Sequence, residues 1–185
     1  MEKASQFKDI LGYATDHFDT KLDQHISKLL IENELTLAVC ESVTAGLVGS
    51  RLTALPGSSA FFLGGILCYH TMVKVNICGV SPQVIRDNGV VSEAVVIALA
   101  RGVKRLIKSD IVLSLTGIAG PGKDTASTAA VGTVFVGLCG PDGELAKDFH
   151  FEGNRSEVRR QATQAALVVL KQYLLMLIGI ENVME

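Results

Sequence analysis

The stretch "LTLAVCESVTAGLVGSRL", Leu35 to Leu52, decides the fold. Its opening run is apolar at every position but Thr36, which is how a strand buried on both faces reads. The run stops at Glu41, Ser42 and Thr44, and a small-residue helix is expected from Gly46 to Leu55. A buried strand that turns straight into a helix is the unit of an α/β layered domain. The serine at that junction has two readings. It caps the helix, or it is a nucleophile held where the unpaired N–H groups of the first helical turn converge.

The same grammar extends outward. "FFLGGILCY" (Phe61 to Tyr69) reads as a second strand whose glycines permit close approach, and "DIVLSLTG" as a third buried strand. Between them lie a short helix around Met72 to Ile77, a helix opening at "SPQVIRD" with Ser81 as cap, and an amphipathic helix capped by Ser92. "VGTVFVGLCGPDGELAKDFHFEG" has the form of a β-hairpin turning at Gly140 to Gly143, and a long helix from about Ser156 to Ile178 closes the sequence. Strands alternating with helices, plus one hairpin, predict a mixed sheet in an α/β arrangement. Apolar spacing from Phe7 to Leu30 adds a helical stripe, broken near Asp19. The expected organisation is a helical extension over 1–19 followed by one domain over 20–185.

Composition excludes several classes. Of 185 residues, 48% are hydrophobic and 19% charged, which suits a compact globule rather than a disordered chain. A net charge of −2 gives no basic field for nucleic acid or an anionic membrane. The most apolar run, "AALVVLKQYLLMLIGI", is interrupted by Lys171, Gln172 and Tyr173 and is too short to span a bilayer. No signal-peptide pattern opens the sequence, so a cytoplasmic protein is expected. Cys40, Cys68, Cys78 and Cys139 lack metal-ligand spacing and read as buried thiols, with no metal and no cofactor expected.

Sites in such sheets form beyond the carboxyl ends of the strands. Three polar clusters fall there: Glu41 to Gly46, Tyr69 to Lys74, and Thr116 to Gly122. A nucleophilic Ser42 needs a base. None of His17, His25, His70 and His150 has an identifiable carboxylate partner, and Lys74 is the better candidate, with Tyr69 beside it. Otherwise Lys74 is a solvated surface lysine. Arg155 and Arg159, four apart at the start of the last helix, would suit a phosphate or would pair with Glu152 or Glu157. "TGIAGPG" matches neither a Walker nor a dinucleotide fingerprint.

In order, "ESVTAG", "RLTALPGSSAFFLGGILCY", Lys74, "GVVSEAV", "TGIAGPG", "VGTV" and "GNRSEVRRQA" resemble the C-terminal domain family of the competence/damage-inducible protein CinA. Its stand-alone members are nicotinamide-nucleotide amidohydrolases. The resemblance implies a three-layer α/β/α sandwich and hydrolysis of the carboxamide of nicotinamide mononucleotide to nicotinate mononucleotide and ammonia, without a metal. Carried over, it makes Ser42 the nucleophile with Tyr69 and Lys74 as partners. Glu41, Thr44, Ala45, Gly46, Thr116, Gly117 and Gly120 would contact substrate, and Arg155 and Arg159 its phosphate. It also implies a homodimer or higher homo-oligomer. Val43 and Ala45 depart from the family's usual E-S-C-T-G-G, and Ala129-Ala130 stands where Lys-Pro is usual, leaving Lys123 to reach in from the same loop. Those departures keep two alternatives open: a catalytically silent member that binds a nucleotide or protein, and an amidase for another small amide.

Overall fold

A computed structural model describes residues 21–122 and 127–179, so the expected 1–19 extension and Lys123 lie outside the described residues. Five strands form one sheet in the order β2-β1-β3-β4-β5. These are β1 (Leu37–Glu41), β2 (Phe62–Leu67), β3 (Ile111–Gly117), β4 (Thr133–Gly140) and β5 (Gly143–His150). β1 runs parallel to both β2 and β3, whereas β3-β4 and β4-β5 are antiparallel, which makes the sheet mixed as the pattern predicts. The β4-β5 hairpin turns on Pro141 and Asp142, with Gly140 paired to Gly143.

Among the described residues six α-helices cover the sheet: α1 (Leu22–Glu32), α2 (Leu47–Thr53), α3 (Thr71–Asn76), α4 (Pro82–Asn88), α5 (Glu93–Ile107) and α6 (Arg155–Leu177). β1 is buried along its whole length because both of its faces are used. One face packs Leu37 and Val39 with Leu113 and Val136 under α1 and α6, which contribute Ile26, Leu30, Ala162, Ala166 and Leu170. The other packs Ala38, Cys40 and Val112 under Val95, Leu99 and Val103 of α5. Two apolar clusters on opposite faces of one sheet make three layers.

Local chemistry sets the helix ends. Ser81 and Ser92 cap α4 and α5 by accepting from Gln83 and Val95 N–H groups. Asn154 and Glu157 form a reciprocal capping box that starts α6. The edge strand β2 approaches β1 closely enough that a Cβ at Gly65 would come 2.3 Å from Val39 Cγ2 and 2.8 Å from Val39 O. Glycine is what allows that approach.

Candidate active site

Ser42 follows β1, Tyr69 follows β2, and Lys74 lies in α3, so the parallel register of β1 and β2 delivers all three to one end of the sheet. Lys74 turns inward and is 2% exposed, against the surface alternative. Its Nζ donates to Ser42 Oγ at 2.9 Å and to the Cys68 carbonyl at 2.7 Å, with Cys68 Sγ at 3.6 Å. No salt bridge involves Lys74 among the described residues. His70 caps α3 through Nδ1, which accepts from Met72 N–H at 3.1 Å, and in doing so it sets the turn that aims Lys74.

The two readings of Ser42 separate here. Helix α2 begins at Leu47 after Gly46, five residues beyond Glu41, and Ser42 does not cap it. The cap is Glu41. Its carboxylate, 1% exposed, accepts from the N–H groups of Gly46 at 2.9 Å, Val48 at 3.2 Å and Gly49 at 2.8 Å. Glu41 was expected among substrate contacts; its oxygens are instead turned into the protein, where they satisfy the orphan donors of α2. The same bonds correct a second expectation, since the Gly46 N–H is already taken. The loop between is wound left-handed, with φ of +50° at Ala45 and +97° at Gly46. Thr44 is fully buried, and its Oγ1 has no hydrogen-bond partner among the described residues.

The third cluster divides as well. Thr116, expected to meet substrate, is buried and donates its hydroxyl to Val90 O at 3.1 Å. Gly117 remains paired within β3-β4, and a Cβ there would come 2.8 Å from Thr133 O. Gly120 has φ +74°, precedes a cis peptide to Pro121, and presents its carbonyl to Arg155 Nη1 at 2.9 Å.

Arg155 also reaches Tyr69, donating from Nη2 to the phenolic oxygen at 2.7 Å. Arg159 donates from Nε to Val43 O at 3.1 Å and from Nη2 to Thr44 O at 2.8 Å. Neither arginine forms a salt bridge to Glu152 or Glu157 among the described residues. Each anchors a loop while lining a cleft of about 490 Å³, whose walls include Pro121, Val131, Asn154 and Ser156. Ser42 and Lys74 are not in that lining. Arg159 links the cleft to the serine loop, since it lines the one and donates to the Val43 and Thr44 carbonyls of the other.

One feature escaped the sequence pattern. Cys40, Cys68 and Cys78, apart in sequence, place their sulfurs within 4.8 Å of one another. Their common signal was position, since each lies near the same end of the parallel strands. Hydrogen bonds from Cys40 and Cys78 hold the Cys68 thiol well below its ordinary range, while the bond to Cys68 raises Cys40.

The chain resembles known proteins throughout this region. A family model described as the CinA C-terminal domain matches residues 19–174. A CinA-like protein of Desulfotalea psychrophila is 39% identical over 166 residues, and one of Chlorobaculum tepidum is 44% identical over 160. These matches cover 90% and 84% of this chain but only 39% and 37% of the relatives, so the chain spans about two fifths of their length. A CinA superfamily crystal structure from Klebsiella pneumoniae superposes with a TM-score of 0.81 at 26% identity, over 84% of this chain and 97% of that one. The competence/damage-inducible protein structure from Agrobacterium tumefaciens gives 0.72 at 25% identity, covering 91% and 100%. The chain belongs to the CinA family, and what it contains is that family's C-terminal domain.

Proposed function

We propose that this domain hydrolyses the carboxamide of nicotinamide mononucleotide to nicotinate mononucleotide and ammonia. The observation that carries the reading is the buried contact of 2.9 Å between Lys74 Nζ and Ser42 Oγ. An uncharged amine at that distance can take the hydroxyl proton as the oxygen attacks the amide carbon. Lys74 then returns the proton to the leaving nitrogen, ammonia departs, and the same amine activates the water that releases the acyl group from Ser42.

The oxyanion needs donors that Glu41 has not already claimed. The N–H groups of Val43 to Ala45 and the unpartnered Thr44 hydroxyl are the nearest candidates, and one such donor contributes about 3 kcal/mol in measured hydrolases. Tyr69 accepts from Arg155 and keeps its own O–H to donate toward the substrate. Arg155 and Arg159, both on the cleft wall, supply positive charge for the phosphate.

The test is turnover of nicotinamide mononucleotide, followed as ammonia and nicotinate mononucleotide, in the native protein and in Ser42→Ala. Activity that vanishes in the variant supports the reading; no activity in the native protein overturns it. The silent-binder alternative has its own support, because Ser42 is only 8% exposed and lies outside the cleft lining. Nucleotide binding without turnover decides for it, and turnover of other amides alone decides for the third reading. We place the protein in the cytoplasm; among the described residues no helix is long and apolar enough to cross a membrane. A second copy of the chain is the proposed cover for the exposed apolar residues Leu63, Leu67 and Met72 beside the β2 edge.

A further inference from the structure

Behind the Ser42–Lys74 pair, three thiols from three different elements meet in a space closed to solvent. Cys40 comes from β1, Cys68 from the exit of β2 and Cys78 from the turn after α3, and their exposures are 0%, 0% and 1%. Cys40 Sγ lies 3.4 Å from Cys68 Sγ and 3.8 Å from Cys78 Sγ. A tetrahedral ion with metal–sulfur bonds of about 2.3 Å requires sulfur–sulfur edges of about 3.8 Å. Both contacts fall within a few tenths of an ångström of that edge. Lys74 Nζ stands 3.6 Å from Cys68 Sγ. The corresponding sulfur–nitrogen edge, for bonds of about 2.3 and 2.05 Å, is also about 3.6 Å.

The scaffold around the sulfurs is stiff. Cys40 is paired on both sides within the sheet. Helix α5 presses on Cys78 so closely that a Cβ on Gly102 would come 1.7 Å from its carbonyl oxygen. Three sulfur donors with no carboxylate among them select a soft, closed-shell cation over magnesium or calcium.

We propose that Cys40, Cys68 and Cys78 form a trithiolate site for zinc or a similar thiophilic ion, with Lys74 Nζ at the fourth corner. Binding releases three protons to solvent, one each from the Cys40 and Cys78 thiols and one from the Cys68–Lys74 pair, and takes up one divalent ion, so the site with a neutral amine carries a single negative charge. The lone pair of Lys74 is then committed to the metal. If the amidase reading above holds, zinc binding and amide hydrolysis exclude one another, and the metal form is inactive.

The experiment uses the full chain, reduced and stripped by chelator, titrated with cadmium as a spectroscopic probe and with zinc against a chromophoric competitor. The expected result is one equivalent bound with sulfur-to-cadmium charge-transfer absorption, tightly in the native protein and in Cys139→Ala. Cys78→Ala should lose at least about 100-fold in affinity, and Cys78→Ser, which keeps the volume, reports the same loss if the alanine variant does not fold. Native protein that takes up no metal, or takes it up unchanged in both Cys78 variants, overturns the proposal, as does an oxidised cysteine pair found in its place. If nicotinamide mononucleotide is turned over, zinc should stop it at the midpoint of the binding titration. Absence of all turnover would sink the amidase reading and leave the spectroscopic result to judge the metal site.

Discussion

Replacing Lys74 with methionine separates what the buried amine does for chemistry from what it does for the fold. A positioned general base is worth a factor of roughly 10² to 10⁴ in rate, equivalent to about 2.7–5.5 kcal/mol of barrier. For the proposed amidase, turnover of nicotinamide mononucleotide in Lys74→Met should fall by that factor. Stability should move far less, because two effects oppose each other. Methionine is of similar length and apolar, and it leaves Ser42 Oγ and the Cys68 carbonyl without their donor. Each buried group so deprived costs about 1–3 kcal/mol. Against this, a polar group only 2% exposed no longer has to be desolvated, which offsets a cost of several kcal/mol if the amine is charged. The melting temperature should therefore stay within about 4 °C of the native value, at roughly 2–4 °C per kcal/mol for a chain of this size. Lys74→Arg sharpens the test, because a guanidinium can still donate to Ser42 but does not give up its charge at neutral pH. Steady-state ammonia release and a thermal melt on the same samples read both effects. Either variant retaining turnover within threefold of native would refute the base.

Three further outcomes follow from neighbouring contacts. Glu41→Gln replaces one accepting oxygen by an amide donor opposite the N–H groups of Gly46, Val48 and Gly49; a loss of about 2–3 kcal/mol is expected in denaturant unfolding, and an unchanged midpoint would remove the cap from the account. Ala45→Gly relieves the left-handed strain at φ +50°. The strain is about 1–2 kcal/mol and the added chain entropy of glycine about 0.5–1, so the variant should be up to about 1.5 kcal/mol more stable, and a destabilised one would show the turn is not strained. Asp110 is held below the ordinary carboxyl range by the Thr36 hydroxyl and N–H. A lowered folded-state value means its contribution is full above the unfolded carboxyl range and is lost as pH falls through the folded value. Asp110→Asn should thus melt lower by about 1 kcal/mol at pH 7, with the gap closing in acid; a gap independent of pH would rule out this linkage.

The fold was legible because its evidence is periodic and local. Continuous apolar runs marked β1 and β3, Ser81 and Ser92 marked the starts of α4 and α5, and Pro141-Asp142 marked the hairpin turn. Convergence of Ser42 with Lys74 was legible too, because parallel neighbouring strands must deliver their exits to the same edge. Side-chain partners across long separations were not. Arg159 meets Val43 O across 116 positions and Arg155 meets Tyr69 across 86, and no local pattern encodes such pairs. Nor does spacing reveal the sulfur cluster, since Cys40, Cys68 and Cys78 are brought together by strand order rather than by a motif.

Glu41 shows why the local reading of the serine loop needed correction. A helix N-terminus beside a hydroxyl suggests that the helix itself stabilises negative charge on the substrate. Here a buried carboxylate already fills that position, taking three N–H groups of the first turn. Its charge opposes the favourable end of the α2 dipole, so α2 cannot be the main source of oxyanion stabilisation. What Glu41 does instead is geometric. By fixing the start of α2 it forces the chain between Ser42 and Gly46 into a left-handed turn, and Arg159 clamps the outer side of that turn through the Val43 and Thr44 carbonyls. With their carbonyls drawn to the arginine, the adjoining amides and the Thr44 hydroxyl, unpartnered among the described residues, are the donors the proposed hydrolase has left for an oxyanion. In the proposed hydrolase, then, the arginine expected to serve the phosphate also holds the loop in which the chemistry occurs. Arg159→Ala should accordingly lower kcat as well as raise KM, and a change confined to KM would confine Arg159 to the phosphate.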